Sequence, residues 1–181
     1  MSTPIRFLVN FIVIMSVQVL LLNDIVIKSS ITLFGIPAFI PLIYPLVLLL
    51  LPLNTHHWVS MILGFITGMT MDLFCNTPGM HTAACVLLGF VRPYLLNLFF
   101  QQQIKELGDT RPTLYRMGIT SFALYVAMAL LIHHFFFYTL QIWSFRNVLY
   151  ILLKTLLSGV LSLLLILVSQ LLFASRETKR A

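Results

Sequence analysis

The chain has 181 residues, of which 60% are hydrophobic and 9% are charged, and its formal net charge is +6. Soluble globular domains carry roughly 45–50% apolar and about 25% charged residues, so the charges here are too few to cover this much apolar surface in water. The composition excludes a disordered chain, a water-soluble enzyme and a disulfide scaffold, and it indicates an all-α integral membrane protein.

Six apolar stretches are candidates for membrane-spanning helices, each of which needs about 20 residues to cross about 30 Å of hydrocarbon. Strands of a membrane barrel alternate apolar and polar residues, whereas these stretches are continuous, so a bundle of about six helices is favoured. In chain order the predicted spans are residues 5–22, 37–51, 58–74, 82–99, 117–138 and 148–173. They predict one polytopic transmembrane domain over residues 1–181, with no sizeable domain outside the membrane.

The first 51 residues carry two apolar stretches with a weaker segment between them. The first stretch could be mistaken for a signal peptide, but no small-residue cleavage site follows Leu22, so an uncleaved helix is expected. Residues 25–35 are too short to span and rich in β-branched residues, so a loop or small hairpin is expected. The second stretch carries Pro41 and Pro45, which predict a kinked helix because proline removes a helix hydrogen bond.

Spans three and four are joined by a short turn that contains Pro78-Gly79, a strong turn signal. Cys75 and Cys85 flank this turn and would lie at different depths if the two helices are antiparallel. Small buried thiols are therefore favoured over a disulfide.

The distribution of Lys and Arg predicts the orientation of the chain. With an even number of crossings, seven basic residues lie on the side of the termini, whereas only Lys28 and Arg146 lie on the other side. Short cytoplasmic loops are enriched in Lys and Arg, so both termini are predicted to be cytoplasmic. The positive charge then needs no nucleic acid to explain it, although anionic lipids would attract it. The seven residues are Arg6, Lys105, Arg111, Arg116, Arg176, Lys179 and Arg180.

Three charged residues, Asp72, Arg92 and Lys154, fall inside predicted spans, where ionisable groups are costly and are functional candidates. Asp72 and Lys154 lie at similar depths, so we hypothesise that they neutralise each other, or that they pair with a partner chain. A proton- or ion-coupling role is the open alternative. Hydrolysis is disfavoured because an intramembrane aspartyl enzyme needs two carboxylates, and Asp72 is the only acidic residue at membrane depth.

The five histidines do not form a recognisable metal site. His56-His57 and His133-His134 are adjacent pairs, and neighbours on a helix point in different directions, so the two rings of a pair cannot bind one metal from one face. Histidines that reach the membrane interface are the simpler expectation. His81 opens span four. No catalytic residue, cofactor or metal is predicted.

Small residues recur at helical spacing in two spans, as Gly64-x-x-x-Gly68 and as Ser158-x-x-x-Ser162. Small residues let helix backbones approach closely in lipid. The two patterns predict close helix packing, and we expect such a small-residue groove to hold the transmembrane helix of a partner.

The stretch from Gly64 to Pro93 resembles the MreD family of rod shape-determining proteins, in the branch typical of Bacteroidetes. The resemblance covers a glycine-bearing helix, an Asp, a short Pro-Gly turn and a following small-residue helix that ends in Arg-Pro. It is strong over residues 37–100 and elsewhere depends on length, six spans and a basic tail. Together with Lys154, the candidates for structural or partner contacts are Gly64, Gly68, Asp72, Pro78, Gly79, His81, Arg92 and Pro93.

The resemblance implies a non-enzymatic, multi-pass scaffold of the bacterial inner membrane that regulates cell shape within the cell-elongation (rod) complex. The implied partners are a bitopic MreC-like protein, a RodA-type glycosyltransferase, a class B penicillin-binding protein and an MreB-like filament, which together organise peptidoglycan synthesis. Residues 105–116 and 176–180 could meet the filament or simply remain solvated beside the lipid. Residues 25–35 could offer an edge strand to a periplasmic partner.

The helical arrangement of the family is similar to that of the substrate-binding subunits of energy-coupling-factor transporters. The alternative function is therefore a small-molecule-binding membrane subunit of a transporter. It predicts a water-accessible cavity lined by Asp72, His81, His133 or Lys154.

Overall fold

The computed structural model describes residues 3–23, 41–107, 110–143 and 148–173, and these ranges contain helices and connecting turns but no strand. The expectations for residues 25–35, for Lys28 and Arg146 and for the tail 176–180 lie outside the described residues. The helices are α1 (Thr3–Ser16), α2 (Leu46–Leu49), α3 (His57–Cys75), α4 (Met80–Leu107), α5 (Leu114–Met117), α6 (Ile119–Ile142) and α7 (Val148–Phe173). A π-helical stretch, Val17–Leu22, continues α1.

Four of these helices are long and apolar enough to cross a membrane: α3, α4 as far as Phe100, α6, and α7 as far as Leu172. They confirm predicted spans three to six close to their expected bounds. The first span forms a shorter apolar helix, Phe7–Leu22. The fold is therefore a helical bundle compatible with a membrane protein.

The second predicted span is wrong as a spanning helix in its described part, residues 41–51. Only Leu46–Leu49 is helical there. Pro41 and Pro45 account for the break, because proline lacks the N–H donor and clashes with the preceding turn of a helix. The stretch is nevertheless buried, and its least exposed members are Leu42, Tyr44, Leu48 and Leu49, each at most 1% exposed.

Helices α3 and α4 form an antiparallel hairpin in which the two backbones touch. A Cβ added to Gly64 would lie 2.6 Å from the carbonyl oxygen of Cys85, and one added to Gly89 would lie 2.6 Å from that of Ser60. A Cβ on Gly68 would overlap the backbone of Thr82. The close packing predicted from Gly64 and Gly68 is confirmed, but the helix that they contact belongs to the same chain.

The rest of the bundle is built outward from this hairpin. Helix α6 packs between α4 and α7, and α1 contacts the short helix α2. Aromatic and aliphatic side chains fill the interior, while the outward sides of the long helices are apolar and exposed, as at Leu73 and Leu149. Exposed apolar sides of this kind suit a lipid surrounding, in which apolar groups need no cover.

Candidate functional site

Residues 41–53, here called the anchored segment, cross the interior of the bundle with the single turn of α2 as their only helix. Tyr44 lies beside His81 at the start of α4, whereas Leu51 lies beside Arg92, which is about 16 Å further along that helix at 1.5 Å per residue. Non-helical backbone at membrane depth is tolerated where protein groups satisfy it, because hydrocarbon offers no hydrogen bonds. Backbone bonds within the segment pair part of it, and polar side chains from four different elements bind groups at its two ends.

The start of the anchored segment is held by Gln18 and Ser162. The buried amide of Gln18 donates from Nε2 to the Pro41 carbonyl at 3.1 Å, and its Oε1 accepts from the Ile43 N–H at 2.7 Å. Between these two bonds, the Leu42 N–H donates to the hydroxyl oxygen of Ser162 on α7 at 2.9 Å. Side chains of the first and last helices thus satisfy backbone groups that a helix would have paired internally.

Tyr44 connects the anchored segment to α4 and α6. Its hydroxyl oxygen lies 2.8 Å from Nδ1 of His81 and 2.9 Å from Nε2 of His133, and we call these three residues the tyrosine bridge. Tyr44 and His133 are fully buried and His81 is 3% exposed. The Cys85 sulfur lies 4.0 Å from the same nitrogen of His133, while Nδ1 of His133 has no hydrogen-bond partner.

The neighbouring His134 is also fully buried. Its Nδ1 lies 2.8 Å from the Leu130 carbonyl and its Nε2 lies 3.3 Å from the Ser162 hydroxyl. The expectation that this pair reaches the membrane interface is therefore wrong, and only His56 and His57, at the start of α3, are exposed. The two rings do point to different partners, as expected for neighbours on a helix.

The end of the anchored segment is held by Arg92 and Tyr125. The fully buried Arg92 donates from Nη2 to the carbonyl oxygens of Leu51 and Pro52, and the Tyr125 hydroxyl donates to that of Leu49 at 3.3 Å. A cation is favourable where helix carbonyls are left unpaired. Nε and Nη1 of Arg92 have no hydrogen-bond partner. Pro93, the next residue, lies inside α4.

Asp72 lies near the C-terminal end of α3, where its carboxylate binds the hairpin turn and the start of α4. One carboxylate oxygen accepts from the Thr77 hydroxyl and from the His81 N–H at 3.0 Å. The other accepts from the N–H of Thr82 at 2.8 Å and from its hydroxyl at 2.6 Å. A carboxylate that accepts N–H bonds at a helix N-terminus acts as a cap and complements the helix dipole. Asp72 therefore caps α4 from the preceding helix.

The turn itself, residues 76–79, needs two unusual backbone conformations. Asn76 has φ of 51° and Gly79 has φ of 80°, the left-handed region in which glycine and asparagine are favoured. Pro78 lies exposed between them. The predicted Pro78-Gly79 turn is confirmed, and its geometry brings Thr77 back to Asp72.

The hypothesis that Asp72 and Lys154 neutralise each other is wrong. All hydrogen bonds of Asp72 go to the turn and to α4, whereas Nζ of Lys154 lies 5.2 Å from the ring centroids of both Tyr138 and Tyr150. A cation over aromatic faces is stabilised by their quadrupoles. The two charges share a predicted depth but have separate partners.

The small residues of α7 also serve contacts within the chain. The Ser158 hydroxyl lies 2.6 Å from that of Tyr138, and the Ser162 hydroxyl holds Leu42. With Gly64 and Gly68 pressed against α4, the small-residue faces in both spans are occupied. The expected small-residue groove for a partner helix is therefore not open.

An open groove of about 530 Å³ lies beside the hairpin turn, with Phe65, Met69, Asp72 and Thr82 in its walls. Of the four residues expected to line a cavity, Asp72 lines this groove, whereas His81 and His133 are engaged in the tyrosine bridge. Both oxygens of Asp72 already accept hydrogen bonds from the chain.

Several residues of the site were not predicted from the sequence. Gln18, Tyr44 and Gly89 had no assigned role, although Gln18 and Tyr44 are polar residues inside apolar runs, which need internal partners at membrane depth. Within the described ranges, no three His, Cys, Asp or Glu side chains are arranged to hold a metal ion. Cys75 and Cys85 are free thiols, and Cys85 is buried as expected, whereas Cys75 is only half-buried.

Comparisons with known proteins find no protein family, no curated protein and no solved structure that matches this chain. The polar groups of the site bind backbone and side-chain groups of the same chain, an arrangement suited to holding a defined shape.

Proposed function

We propose that this protein is a non-enzymatic scaffold subunit of the bacterial cell-elongation complex in the inner membrane. In this role it binds a bitopic MreC-like protein and, with a RodA-type glycosyltransferase, a class B penicillin-binding protein and an MreB-like filament, organises peptidoglycan synthesis and so regulates cell shape. The proposal starts from the resemblance of the stretch 64–93 to the MreD family. That stretch forms the α3–α4 hairpin.

The polar side chains of this hairpin bind other groups of the same chain, and this observation favours a binding role over a catalytic one. Asp72 caps α4, His81 belongs to the tyrosine bridge, and Arg92 holds the end of the anchored segment. General acid–base catalysis needs a group within reach of a substrate proton. Here the candidate groups are directed at the backbone or side chains of the chain itself, which favours a rigid surface for a partner.

The orientation remains part of the proposal. The Lys and Arg distribution places both termini in the cytoplasm, which requires an even number of crossings. Six crossings result if the helix Phe7–Leu22 and the anchored segment each count as one, beside the four long helices. The hairpin turn at residues 76–79 then faces the periplasm, where the soluble part of an MreC-like protein would lie.

The partner's transmembrane helix is proposed to pack between α1 and α3. Helix α3 packs mainly on α4 among the described helices, so the described part of the chain leaves its opposite side open. A groove on that side is lined by Phe7, Phe11, Leu63 and Ile66. An apolar helix could fill this groove by packing contacts alone, which is how helices associate in lipid.

Photo-crosslinking from two outward positions tests this placement. A photoreactive amino acid at Ile66, which is 47% exposed on α3, is expected to capture a single-span membrane protein in cells. The matched control is Val160, which is 57% exposed on α7, and it is expected to capture no such protein. Equal capture from both positions, or capture from Val160 alone, would contradict the proposed face.

The groove beside Asp72 favours a second candidate function, a small-molecule-binding subunit of a transporter. Its volume of about 530 Å³ falls within the range of ligand pockets, roughly 300–1,000 Å³. Against this function, the groove is open, and the one charged side chain in its wall is fully hydrogen-bonded to the turn.

A further inference from the structure

The tyrosine bridge joins two histidine nitrogens through a single hydroxyl group. The Tyr44 hydroxyl carries one proton, so it can donate in only one of its two hydrogen bonds, and the other bond must be donated by a histidine. A neutral histidine carries one N–H and one acceptor nitrogen. The bridge therefore has a direction: one of His81 and His133 accepts from Tyr44, and the other donates to it.

The surroundings of His133 decide this direction. If Tyr44 donated to Nε2 of His133, the proton of His133 would sit on Nδ1, which is buried and has no partner. Buried N–H groups without an acceptor are rare in proteins because they carry the full cost of desolvation. In the neutral bridge, His133 therefore donates from Nε2 to the Tyr44 oxygen, and the Tyr44 hydroxyl donates to Nδ1 of His81.

We propose that His81 is a proton-binding site whose occupation releases Tyr44 and loosens the anchored segment. A proton added to Nδ1 of His81 turns that acceptor into a donor, so the Tyr44 hydroxyl loses its acceptor there. The remaining acceptors near it are Nε2 of His133, which would force a proton onto the unpartnered Nδ1, and the weakly accepting sulfur of Cys85. Either outcome costs the bridge one good hydrogen bond.

His81 is the better placed of the two histidines to take up the proton. It stands in the first turn of α4 and retains 3% exposure, whereas His133 is fully buried. The Asp72 carboxylate accepts a hydrogen bond from the backbone N–H of His81, so an imidazolium on this residue would have a negative charge nearby. A cation on His133 would have no such neighbour and would leave a buried N–H unpaired.

Apart from Asp72, the titratable groups around the bridge do not compensate a proton on His81. His134 is engaged by Leu130 and Ser162, and Lys154 is held over two tyrosine rings. Asp72 therefore supplies the only full negative charge among these described neighbours. Grouped by helix, they are Asp72 and Cys75 on α3, Cys85 on α4, His134 and Tyr138 on α6, and Lys154 on α7.

Loosening at Tyr44 would directly affect the backbone of its neighbours in the chain. The amides of Leu42 and Ile43 are paired only to side chains, Ser162 and Gln18, so they depend on the position of the segment. The proton site would thereby link acidity at the hairpin end of the bundle to the shape of its interior.

Hydrogen exchange on the full chain in lipid nanodiscs tests the link. As the pH is lowered from about 7.5 to about 3.5, protection of residues 41–53 should fall about tenfold after correction for intrinsic exchange, because one buried hydrogen bond of about 1.4 kcal/mol corresponds to that factor. Tyr44→Phe should show low protection at both pH values, and His81→Gln should lose the pH dependence. The control His57→Gln, which alters an exposed histidine, should behave like the wild type.

An unchanged wild-type protection, or a tenfold fall that persists in His81→Gln, would overturn the proposal. A measurement on the wild-type protein keeps the proposal testable even if a variant does not fold. Met80-His81 is the only Met-His pair in the sequence, so paired methionine and histidine isotope labelling singles out His81 in solid-state NMR. Its ring should convert from the neutral form to imidazolium as the pH is lowered from about 7.5 to about 3.5, and a ring that stays neutral over this whole range would also overturn the proposal.

Discussion

Replacing Asp72 by Ala should destabilise the α3–α4 hairpin by about 3 kcal/mol. Loss of a capping side chain costs about 1 kcal/mol, and loss of the two hydroxyl bonds, from Thr77 and Thr82, costs about 1 kcal/mol each. Unfolding by increasing mole fraction of dodecyl sulfate, followed by circular dichroism, measures the free energy of unfolding. Asp72→Asn keeps one accepting oxygen, so its free energy of unfolding should fall by about half as much as that of Asp72→Ala.

The double variant with Lys154 decides between a cap and an ion pair. Lys154→Met should cost about 1 kcal/mol, the size of its contacts with the tyrosine rings. Since Asp72 and Lys154 have separate partners, the effects of Asp72→Ala and Lys154→Met should add to within about 0.5 kcal/mol. A coupling of more than 1 kcal/mol would refute the assignment of Asp72 as a cap of α4 alone.

Three further substitutions test the packing and the anchored segment in the same unfolding assay. Gly64→Ala should lower the free energy of unfolding by at least about 2 kcal/mol because the added Cβ would meet the backbone of α4. The control Gly159→Ala should be nearly neutral, since the nearest neighbour of its Cβ is a side-chain carbon at 3.9 Å. Equal effects of the two substitutions would contradict the close contact at Gly64. Arg92→Met should lower the free energy of unfolding by about 2 kcal/mol, since two carbonyl oxygens lose a charged donor. An unchanged free energy of unfolding would show that water replaces the guanidinium. Gln18→Leu should lower the free energy of unfolding by a similar amount and should speed amide exchange at residues 41–43. Normal exchange at these residues would exclude Gln18 as an anchor of the segment.

The long helices could be predicted because their signal is local. Continuous apolar runs of spanning length set α3, α4, α6 and α7, and Pro78-Gly79 set the turn between the first two. The second span was wrong because two prolines four residues apart disrupt a helix rather than kink it. That outcome needs outside partners for the freed backbone, and these come from Gln18 and Ser162, about 23 and 120 residues away in the chain.

The roles of the polar residues were harder to predict, for a geometric reason. Position along a span gives depth in the membrane but not position around the helix or which helices are neighbours. Asp72 and Lys154 matched in depth and were paired for that reason, although their side chains have different partners. The helix that carries His133 and His134 is apolar on all sides, so the sequence does not show which of its sides is buried. The cap by Asp72, in contrast, involves residues within ten positions and was within reach of turn analysis.

The proposed scaffold function is tested most directly by affinity purification of the tagged protein from membranes, with quantification of the proteins that accompany it. The account predicts enrichment of a bitopic MreC-like protein together with a class B penicillin-binding protein, and loss of that enrichment when the groove between α1 and α3 is blocked by Ile66→Trp. Recovery of a pair of ATPase subunits without these partners would contradict it and favour the transporter function.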